Sequence, residues 1–310
     1  MLSGASALSA AQHYPAKSVR IVVPFAAGGN TDFTARTIAA KLSENLGHQF
    51  LVENRPGAST NIGSDLIVRS APDGYNILLG GAANAINVAA LAKVPFDLQR
   101  DLAPVALAVK GANVLSIHPS MPAKNLKDVI AIAKARPGQL NFATSGVASS
   151  NHMAGELFKH MARVNINHVP YKGNAPALTD LVGGHIEMMF SGVPALIPHI
   201  KSGRIRSVAI GSPKRFAAIP EVPTFDEQGL KGYEASTWFG FMAPAKTPPA
   251  IVSKLNTEIN KVLASAEIRK RYEIEGLEPQ GGSPADFAKW ISKEIDLYTR
   301  LVKVANIPKL

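Results

Sequence analysis

Residues 19–32 have the sequence VRIVVPFAAGGNTD. The first five are mostly β-branched, which is typical of a buried parallel strand, and the proline that follows ends the strand. After the glycine pair, one of the polar residues 30–32 can cap a helix that continues to Gly47. A strand, a glycine turn and a helix in this order form the βα unit from which α/β sheets are built.

The same order of elements recurs along the chain. Further strands are predicted near residues 50–52, 75–79, 140–144, 166–171, 186–190, 205–210 and 238–242. Helices are predicted from residue 61, at 125–136, after the polar turn 145–150, and near 175–182, 194–201 and 251–263, then from 267 and at 284–304. Strands that alternate with helices indicate an α/β fold with mostly parallel sheets.

The length of 310 residues, about twice that of a usual domain, favours two lobes. Residues 22–41 and 140–160 share the order strand, Phe-Ala, small-residue turn and helix, although a common βα unit occurring twice would look the same. The C-terminal helices have few strands among them, so we expect them to cover the first lobe. The predicted lobe 1 is residues 14–108 plus 235–310, and lobe 2 is residues 109–234.

The first residues, 1–13, are small, uncharged and weakly apolar. Ser9 and Ala11 suit the −3 and −1 positions of a signal-peptide cleavage site, although a charged n-region and a full apolar core are missing. We interpret this segment as a signal-peptide remnant or a disordered tail. Because no apolar run reaches the ~20 residues of a membrane span and there is no cysteine to carry a lipid, we expect a soluble protein without a lipid anchor.

The composition narrows the class of partner. Lys and Arg number 33 against 23 Asp and Glu, a formal charge of +10 that attracts anions. The densest basic runs, residues 201–206 and 269–271, have no interleaved aromatic residues, so nucleic acid is not the expected partner. The absence of cysteine excludes disulfides, thiolate metal sites and a cysteine nucleophile. No cofactor and no metal are expected.

The turn at residues 26–31 can hold an anion. Gly28 and Gly29 let the main chain approach a ligand closely, and the helix start that follows offers N–H groups and a positive dipole end. A second wall could come from residues 144–150, TSGVASS, which carry hydroxyl donors and lie before another helix. Two such walls suit a dicarboxylate, or a carboxylate with a second polar end.

Enzyme motifs are largely absent. There is no Gly-x-Gly-x-x-Gly fingerprint, no Gly-Lys dipeptide for a P-loop and no Gly-x-Ser-x-Gly elbow. His152, beside Ser149 and Ser150, is the one histidine suspected of chemistry. In the first turn of a helix it more often serves as a structural hydrogen-bond donor than as a base.

A family resemblance rests on an ordered set of motifs. The matching motifs are Tyr14-Pro15, VPFAAGGNTD at 23–32, ENRPGA at 53–58, NIG at 61–63, APDGY at 71–75, VPYKG at 169–173, IPEVPT at 219–224, WFG at 238–240 and Ala243-Pro244. Each is weak alone, but together they cover nearly the whole chain in order. The sequence resembles the Bug family, the receptors of tripartite tricarboxylate transporters.

This resemblance implies a type II-like periplasmic binding protein fold in a Gram-negative bacterium, with two lobes that close on a ligand. It implies a small organic acid as ligand and inner-membrane transport subunits as partners, and we expect a monomer. Carried over, the first wall would hold a carboxylate through main-chain amides and ordered water. Its residues would be Phe25, Ala26, Ala27, Gly28, Gly29 and Asn30, completed by Asn61, Ala83 and Asn84. The second wall would be Thr144, Ser145, Ser149, Ser150, Tyr171 and Gly173.

Ser191 departs from the family pattern. Many relatives that bind amino-dicarboxylates place an aspartate at this position to pair with an ammonium group. With serine there, a plain carboxylic acid loses nothing, so the sequence predicts a dicarboxylate or aromatic acid without an amino group. Two alternatives remain at this stage: a ligand sensor that docks on a membrane kinase, and a hydrolase or decarboxylase that uses His152.

Overall fold

The computed structural model describes residues 14–305, together with 307 and 309. The predicted signal-peptide remnant or tail, residues 1–13, lies outside the described residues. In chain order the strands are β1 Val19–Val23, β2 Phe50–Asn54, β3 Asn76–Gly81, β4 Leu102–Ile117, β5 Asn141–Thr144, β6 Asn167–Pro170, β7 Met188–Gly192, β8 Arg206–Ile210, β9 Ser236–Pro244 and β10 Glu278–Pro279.

Helices connect and cover these strands. They are α1 Asn30–Leu46, α2 Asn61–Val68, α3 Ala82–Ala90, α4 Leu98–Asp101, α5 Leu126–Ala135, α6 Ser150–Ala162, α7 Asn174–Val182, α8 Ile197–Lys201, α9 Pro249–Ala264, α10 Ala266–Ile274 and α11 Pro284–Val304. A 3₁₀ turn, Ala58–Thr60, precedes α2. None of the helices in the described ranges is both long enough and apolar enough to cross a membrane.

The strands follow the order β2-β1-β3-β9-β4-β7-β5-β6. Neighbours run parallel in β2-β1-β3 and in β7-β5-β6, and antiparallel where β9 and β4 join the two groups. The α/β class predicted from the sequence is therefore confirmed. In both parallel groups the carboxyl ends of the strands lead into helix starts, and this is the edge at which α/β sheets bind ligands.

Strand β4 belongs to both halves of the molecule. Its first part pairs with β9, from Leu102 opposite Pro244 to Ala112 opposite Ser236. Its last part, from Asn113 onward, pairs with β7 on one side and β8 on the other. One continuous strand of 16 residues therefore belongs to both sheets and connects the two halves.

Each sheet is buried on both faces by helices. Alternate residues of β1 point to opposite sides, so that Ile21 lies in the apolar cluster under α1 and α9, and Val22 in the cluster under α3 and α11. In the second sheet, Phe142 packs under α5 and α6, whereas Ala143 packs under α7 and α8. The C-terminal helix α11 thus covers the sheet of the first strands.

Four of these strands and helices were not predicted, namely β4, β10, α3 and α4. The sequence of β4 contains Pro104 and Gly111, which resemble breaks, yet Gly111 lets the strand pass close to Leu277 and Thr237. Helix α3 is a run of small residues whose N-cap residue is Gly81, and its signal is correspondingly weak. Where the sequence favoured a polar cap at residues 30–32, the N-cap of α1 is Gly29, and that expectation was wrong.

Gly155 tests the packing of α6 on β5. A Cβ added at Gly155 would lie 2.2 Å from the ring of the buried Phe142. We expect Gly155→Ala to lower the free energy of unfolding by about 1–3 kcal/mol through overpacking. This direction is opposite to the gain of about 1 kcal/mol that alanine normally gives over glycine within a helix.

Urea unfolding followed by circular dichroism measures this change. Ser253→Ala is the matched control, because Ser253 is an exposed residue of α9 and gains only helix propensity. An unfolding free energy for Gly155→Ala equal to or above that of the wild type would contradict the packing.

Candidate functional site

A cavity of about 30 Å³ lies between the two sheets. The first residues of four helices form most of its wall, and we call it the inner cavity. The lining is Gly29, Asn30 and Thr31 at the start of α1, Gly81, Ala82 and Ala83 at α3, Ser149, Ser150 and Asn151 at α6, and Asn174 at α7, completed by Phe25, Ser145, Thr237 and Phe239.

The electrostatics of the inner cavity come from the main chain. The first N–H groups of an α-helix have no partner within the helix, and the aligned peptide dipoles give its N-terminus about half a positive charge. Four such ends meet here, and no charged side chain is among the lining residues that the structure describes. The arrangement suits one small anion held by N–H groups from both halves of the molecule.

The side chain of Asp32 stabilises the turn that forms the first wall. Its carboxylate accepts hydrogen bonds from the Gly28 N–H at 3.0 Å and from Arg36 Nε at 3.0 Å. Although burial favours the neutral acid, the hydrogen bonds from Arg36 and Gly28 hold the pKa of Asp32 below its usual value. The negative charge of Asp32 is therefore compensated by hydrogen bonds within the turn. The Asp32 side chain does not line the cavity.

The hydroxyl groups of the second wall donate to the protein itself. Ser145 Oγ donates to Asn151 Oδ1 at 2.6 Å, and Ser149 Oγ donates to the Gly146 carbonyl at 2.7 Å. Ser150 Oγ donates to Thr237 Oγ1 at 3.1 Å. The sequence suggested that these groups are the donors for a ligand, whereas in this arrangement they mainly fix the loop that presents the start of α6.

A chain of amides links this wall to the crossing strands. Asn151 Nδ2 donates to Asn113 Oδ1 at 2.5 Å. Asn113 Nδ2 in turn donates to the carbonyls of Ala235 and Ser236, both at 3.3 Å. Asn113 lies at the point where β4 passes from one sheet to the other, so the loop at the cavity and the crossing point share one hydrogen-bond network.

The two walls touch beside the cavity. The Ala26 N–H donates to the Lys172 carbonyl at 3.3 Å, and Asn30 Oδ1 accepts from the Ala195 N–H at 3.2 Å. A Cβ added at Gly173, whose φ is 142°, would lie 3.0 Å from Ala26 Cβ. The glycine therefore permits the close approach of the two chains at this point.

A second cavity of about 250 Å³ adjoins the first. Both are lined by Phe25, Ala83, Ser145 and Ser149, and we call the second one the outer cavity. Its own lining is Pro24, Pro56, Gly57, Ala58, Ser59, Thr60, Gly146, Val147, Pro170, Tyr171 and Lys172. Within the described chain, Lys172 is the single charged side chain that lines either cavity.

The wall of the outer cavity contains a strained segment. Ala58, Ser59 and Thr60 have φ angles of 45°, 52° and 77°, and none is a glycine. A left-handed conformation costs an ordinary residue about 1–2 kcal/mol. Three such residues in a row persist only where surrounding contacts hold them, and strain of this kind concentrates at functional sites.

Half of the residues proposed from the sequence line a cavity. These are Phe25, Gly29, Asn30, Ala83, Ser145, Ser149, Ser150 and Tyr171. The remaining eight do not line either cavity, namely Ala26, Ala27, Gly28, Asn61, Asn84, Thr144, Gly173 and Ser191. Ala26 and Gly173 instead form the contact between the walls, and Gly28 belongs to the turn that Asp32 braces.

The other polar candidates are satisfied within the protein. Asn61 Oδ1 accepts from Asn87 Nδ2, and Asn84 bridges the Gly81 N–H and Ser64 Oγ. Thr144 Oγ1 pairs with His168 Nε2 at 2.6 Å. Ser191 is fully buried, and its hydroxyl donates to the carbonyl of Gly192 at 3.3 Å.

Sequence reasoning missed several lining residues. Ala82, Asn151, Asn174, Thr237, Phe239 and Lys172 were not proposed. For Ala82 and Asn151 the signal was available, because they directly follow Gly81 and Ser150 at helix starts. Asn174 has a buried Oδ1 without a hydrogen-bond partner in the described part of the chain, and only the structure shows this.

His152 does not face the cavities. Its Nδ1 accepts from the Ala148 N–H at 3.2 Å, and its ring stacks on His168 with 3.9 Å between centroids. Burial lowers the pKa of His152 to about 3, with a further contribution from His168. Burial also lowers the pKa of His168 to about 4. The pair is a neutral packing element beneath the second wall.

Comparison with known proteins agrees with this geometry. A family model described as "Tripartite tricarboxylate transporter family receptor" matches residues 34–307. The structure of R. palustris Rpa4515 with adipate is 37% identical, with a TM-score of 0.93 over 96% of this chain and 100% of that chain.

Two further solved structures are similar over most of the chain. The periplasmic binding protein BugD is 31% identical, with a TM-score of 0.92 over 96% of this chain and 100% of its own. MatC from Rhodopseudomonas palustris, with bound malate, is 30% identical, with a TM-score of 0.89 over 93% of this chain and 100% of its own. These likenesses confirm the two-lobe periplasmic binding protein fold expected from the sequence.

The buried histidine pair predicts loss of stability in mild acid. Both folded-state pKa values, about 3 for His152 and about 4 for His168, lie below the ordinary value of 6.5. Above pH ~6.5 both states are neutral and the stability is fully present. As the pH falls toward ~4, the unfolded chain takes up protons that the folded chain refuses, so the free energy of unfolding drops.

Thermal melts between pH 7 and 4.5 test this prediction. We expect His168→Gln to flatten the pH dependence of the melting temperature, and the exposed His160→Gln to leave its slope unchanged. Equal slopes in the wild type and in His168→Gln would show that the pair is not the source.

Proposed function

The chain belongs to the family of tripartite tricarboxylate transporter receptors, and on this premise we propose that it captures a small organic carboxylate between its lobes for a membrane transport system. The observation that carries the proposal is the meeting of four helix N-termini at one cavity lined by no acidic side chain in the described chain. The N–H groups supply donors, and the carboxylate supplies acceptors for several of them at once.

Each of the two cavities holds a different part of the ligand in this proposal. The inner cavity of about 30 Å³ has room for a carboxylate group. The remainder of the molecule then lies in the adjoining outer cavity of about 250 Å³. A linear dicarboxylate or an aromatic acid fits this division, and Lys172 offers a counter-charge for a second acidic group.

An amino group has no partner in this site. No aspartate or glutamate is among the lining residues in the described ranges, and the four helix ends repel a cation. The preference for a ligand without an amino group therefore rests on the whole lining, and Ser191 is not needed for it. The adipate of Rpa4515 and the malate of MatC are acids of this kind.

The ligand contacts that we propose are residues that line the inner cavity. Main-chain N–H groups of Asn30, Ala83 and Ser150 hold the carboxylate, with Phe25 and Phe239 as apolar walls. The unpartnered Asn174 Oδ1 takes a hydrogen bond from a ligand hydroxyl or from ordered water, and its amide, turned about, offers an NH₂ group to the carboxylate.

The proposal also includes the division into lobes, the oligomeric state and the cellular location. We propose the two lobes expected from the sequence, residues 14–108 plus 235 onward and residues 109–234; they meet along β4, which passes from one sheet to the other at Ala112–Asn113, a few residues beyond the expected boundary. The chain acts as a monomer in the periplasm and passes its ligand to inner-membrane subunits. Each lobe holds only part of the ligand's polar groups, so the bound form is the closed form.

A ligand panel tests the substrate class. Thermal shift followed by calorimetry should show binding of succinate, malate, adipate or benzoate, since a ligand that binds the native state raises its apparent stability. Aspartate and glutamate serve as matched acids with an ammonium group, and we expect them to bind more weakly than succinate and glutarate. Tightest binding of an amino acid would contradict the proposal.

The variant Asn174→Asp tests the proposed carboxylate site in the inner cavity. An aspartate at this first position of α7 is favourable for the helix, so the melting temperature should not fall. Its negative charge would face the bound carboxylate, and we expect affinity to drop by about 100-fold or more. Thr179→Asp, which adds the same charge to an exposed position of the same helix, should bind like the wild type. Equal affinities of the two variants would contradict the site.

A further inference from the structure

Asn87 is a buried polar residue close to the candidate site. It lies in α3, the helix whose first residues line the inner cavity, but Asn87 itself lines neither cavity. Only 1% of it is exposed, and its Oδ1 has no hydrogen-bond partner in the described part of the chain. Burying an amide oxygen without a partner costs free energy. The hydrogen bonds that its NH₂ group donates are therefore the reason to retain this side chain.

The donor side of Asn87 contacts a single segment. Nδ2 lies 2.5 Å from the carbonyl oxygen of Ser59, 3.2 Å from Thr60 Oγ1 and 3.2 Å from Asn61 Oδ1. A carbonyl oxygen can only accept, so the NH₂ group must face Ser59 and the orientation of the amide is fixed. One side chain therefore contacts three consecutive residues.

These contacts fall on the strained wall of the outer cavity. Ala58, Ser59 and Thr60 all have left-handed φ angles, and all three line that cavity. Ala58 is exposed and Ser59 is half-buried, so packing alone does not hold them. Without a buried donor behind it, a run of this kind relaxes toward negative φ, and the wall of the cavity moves with it.

We propose that Asn87 is a specificity-determining positioning residue that holds residues 58–60 in the left-handed conformation and so sets the shape of the outer cavity. The inference rests on the proposed function. The inner cavity holds the carboxylate that all such acids share, and the outer cavity meets the part in which they differ. Asn87 thus governs which acids bind, by the length and far end of the molecule, without touching any of them.

Binding of a long and a short acid to Asn87→Ala tests the proposal. Adipate reaches the outer cavity, whereas propionate mainly occupies the inner one. We expect Asn87→Ala to weaken adipate by about tenfold or more and propionate by less than about twofold. Val88→Ala is the matched control, because it shortens an exposed side chain on the same helix, and both affinities should stay at the wild-type value. Equal losses for both acids in Asn87→Ala would overturn the proposal.

Glycine rescue separates positioning from general stability. Glycine adopts positive φ without strain, so the segment no longer needs Asn87 when Ala58, Ser59 and Thr60 are all glycines. We expect the quadruple variant Asn87→Ala, Ala58→Gly, Ser59→Gly, Thr60→Gly to bind adipate within about twofold of the triple glycine variant that keeps Asn87. A quadruple variant that binds adipate as weakly as Asn87→Ala would overturn the proposal. If Asn87→Ala does not fold, recovery of folded protein in the quadruple variant supports it, and failure to recover contradicts it.

Amide hydrogen exchange gives a readout that needs no ligand. In the unliganded protein, Asn87→Ala should raise exchange at residues 58–61, and Val88→Ala should not. A wild type that binds neither acid would contradict the proposed function. The exchange of residues 58–61 would still decide whether Asn87 holds the segment, and unchanged exchange in Asn87→Ala would contradict that role.

Discussion

The N–H groups of a helix's first turn cannot be satisfied by the helix, and four helices of this chain begin around one cavity of about 30 Å³. Donors that are buried together without an acceptor cost free energy, and a bound carboxylate satisfies several of them at once. The small residues at these starts, Gly29, Gly81, Ala82 and Ala83, let the helix ends come close. The site is therefore a property of the backbone, which the strand order β2-β1-β3 and β7-β5-β6 places at two facing edges.

Closure follows from how the donors are shared. Helices α1 and α3 pack on the first sheet, and α6 and α7 on the second, so either half alone presents an incomplete seat. Beside the cavity the walls are joined by the bonds of Ala26 to Lys172 and of Asn30 to Ala195, which are neutral hydrogen bonds of modest strength. If the lobes close on a ligand as proposed, the ligand supplies much of the energy that favours the closed form. The amide network through Asn113 connects this event to the crossing strand.

The sequence predicts those parts of the fold that local chemistry controls. Strand β1, the turn at its end and helix α1 are all recognisable because β-branched residues, glycine and proline act within a few positions. Strand β4 is not, since Gly111 reads as a break until its approach to Thr237 is known. In the site, residues in the turns between a strand and a helix could be predicted: Ser145 directly follows β5, and Ser149 directly precedes α6. The roles of Asn61 and Asn84 could not, because a side chain's partners depend on tertiary contacts.

Under the proposed function, an uncharged inner cavity would also explain how one architecture can serve many acids. Recognition by main-chain N–H groups reads only the carboxylate, so it cannot distinguish one small acid from another. Discrimination must then come from the side chains of the outer cavity, where Lys172 and the strained residues 58–60 lie. Substitutions there change the far wall and leave the four helix ends in place. The left-handed conformation of residues 58–60 and the unpartnered buried Oδ1 of Asn87 both cost free energy. Both costs are understandable if these residues maintain a definite shape of the outer cavity.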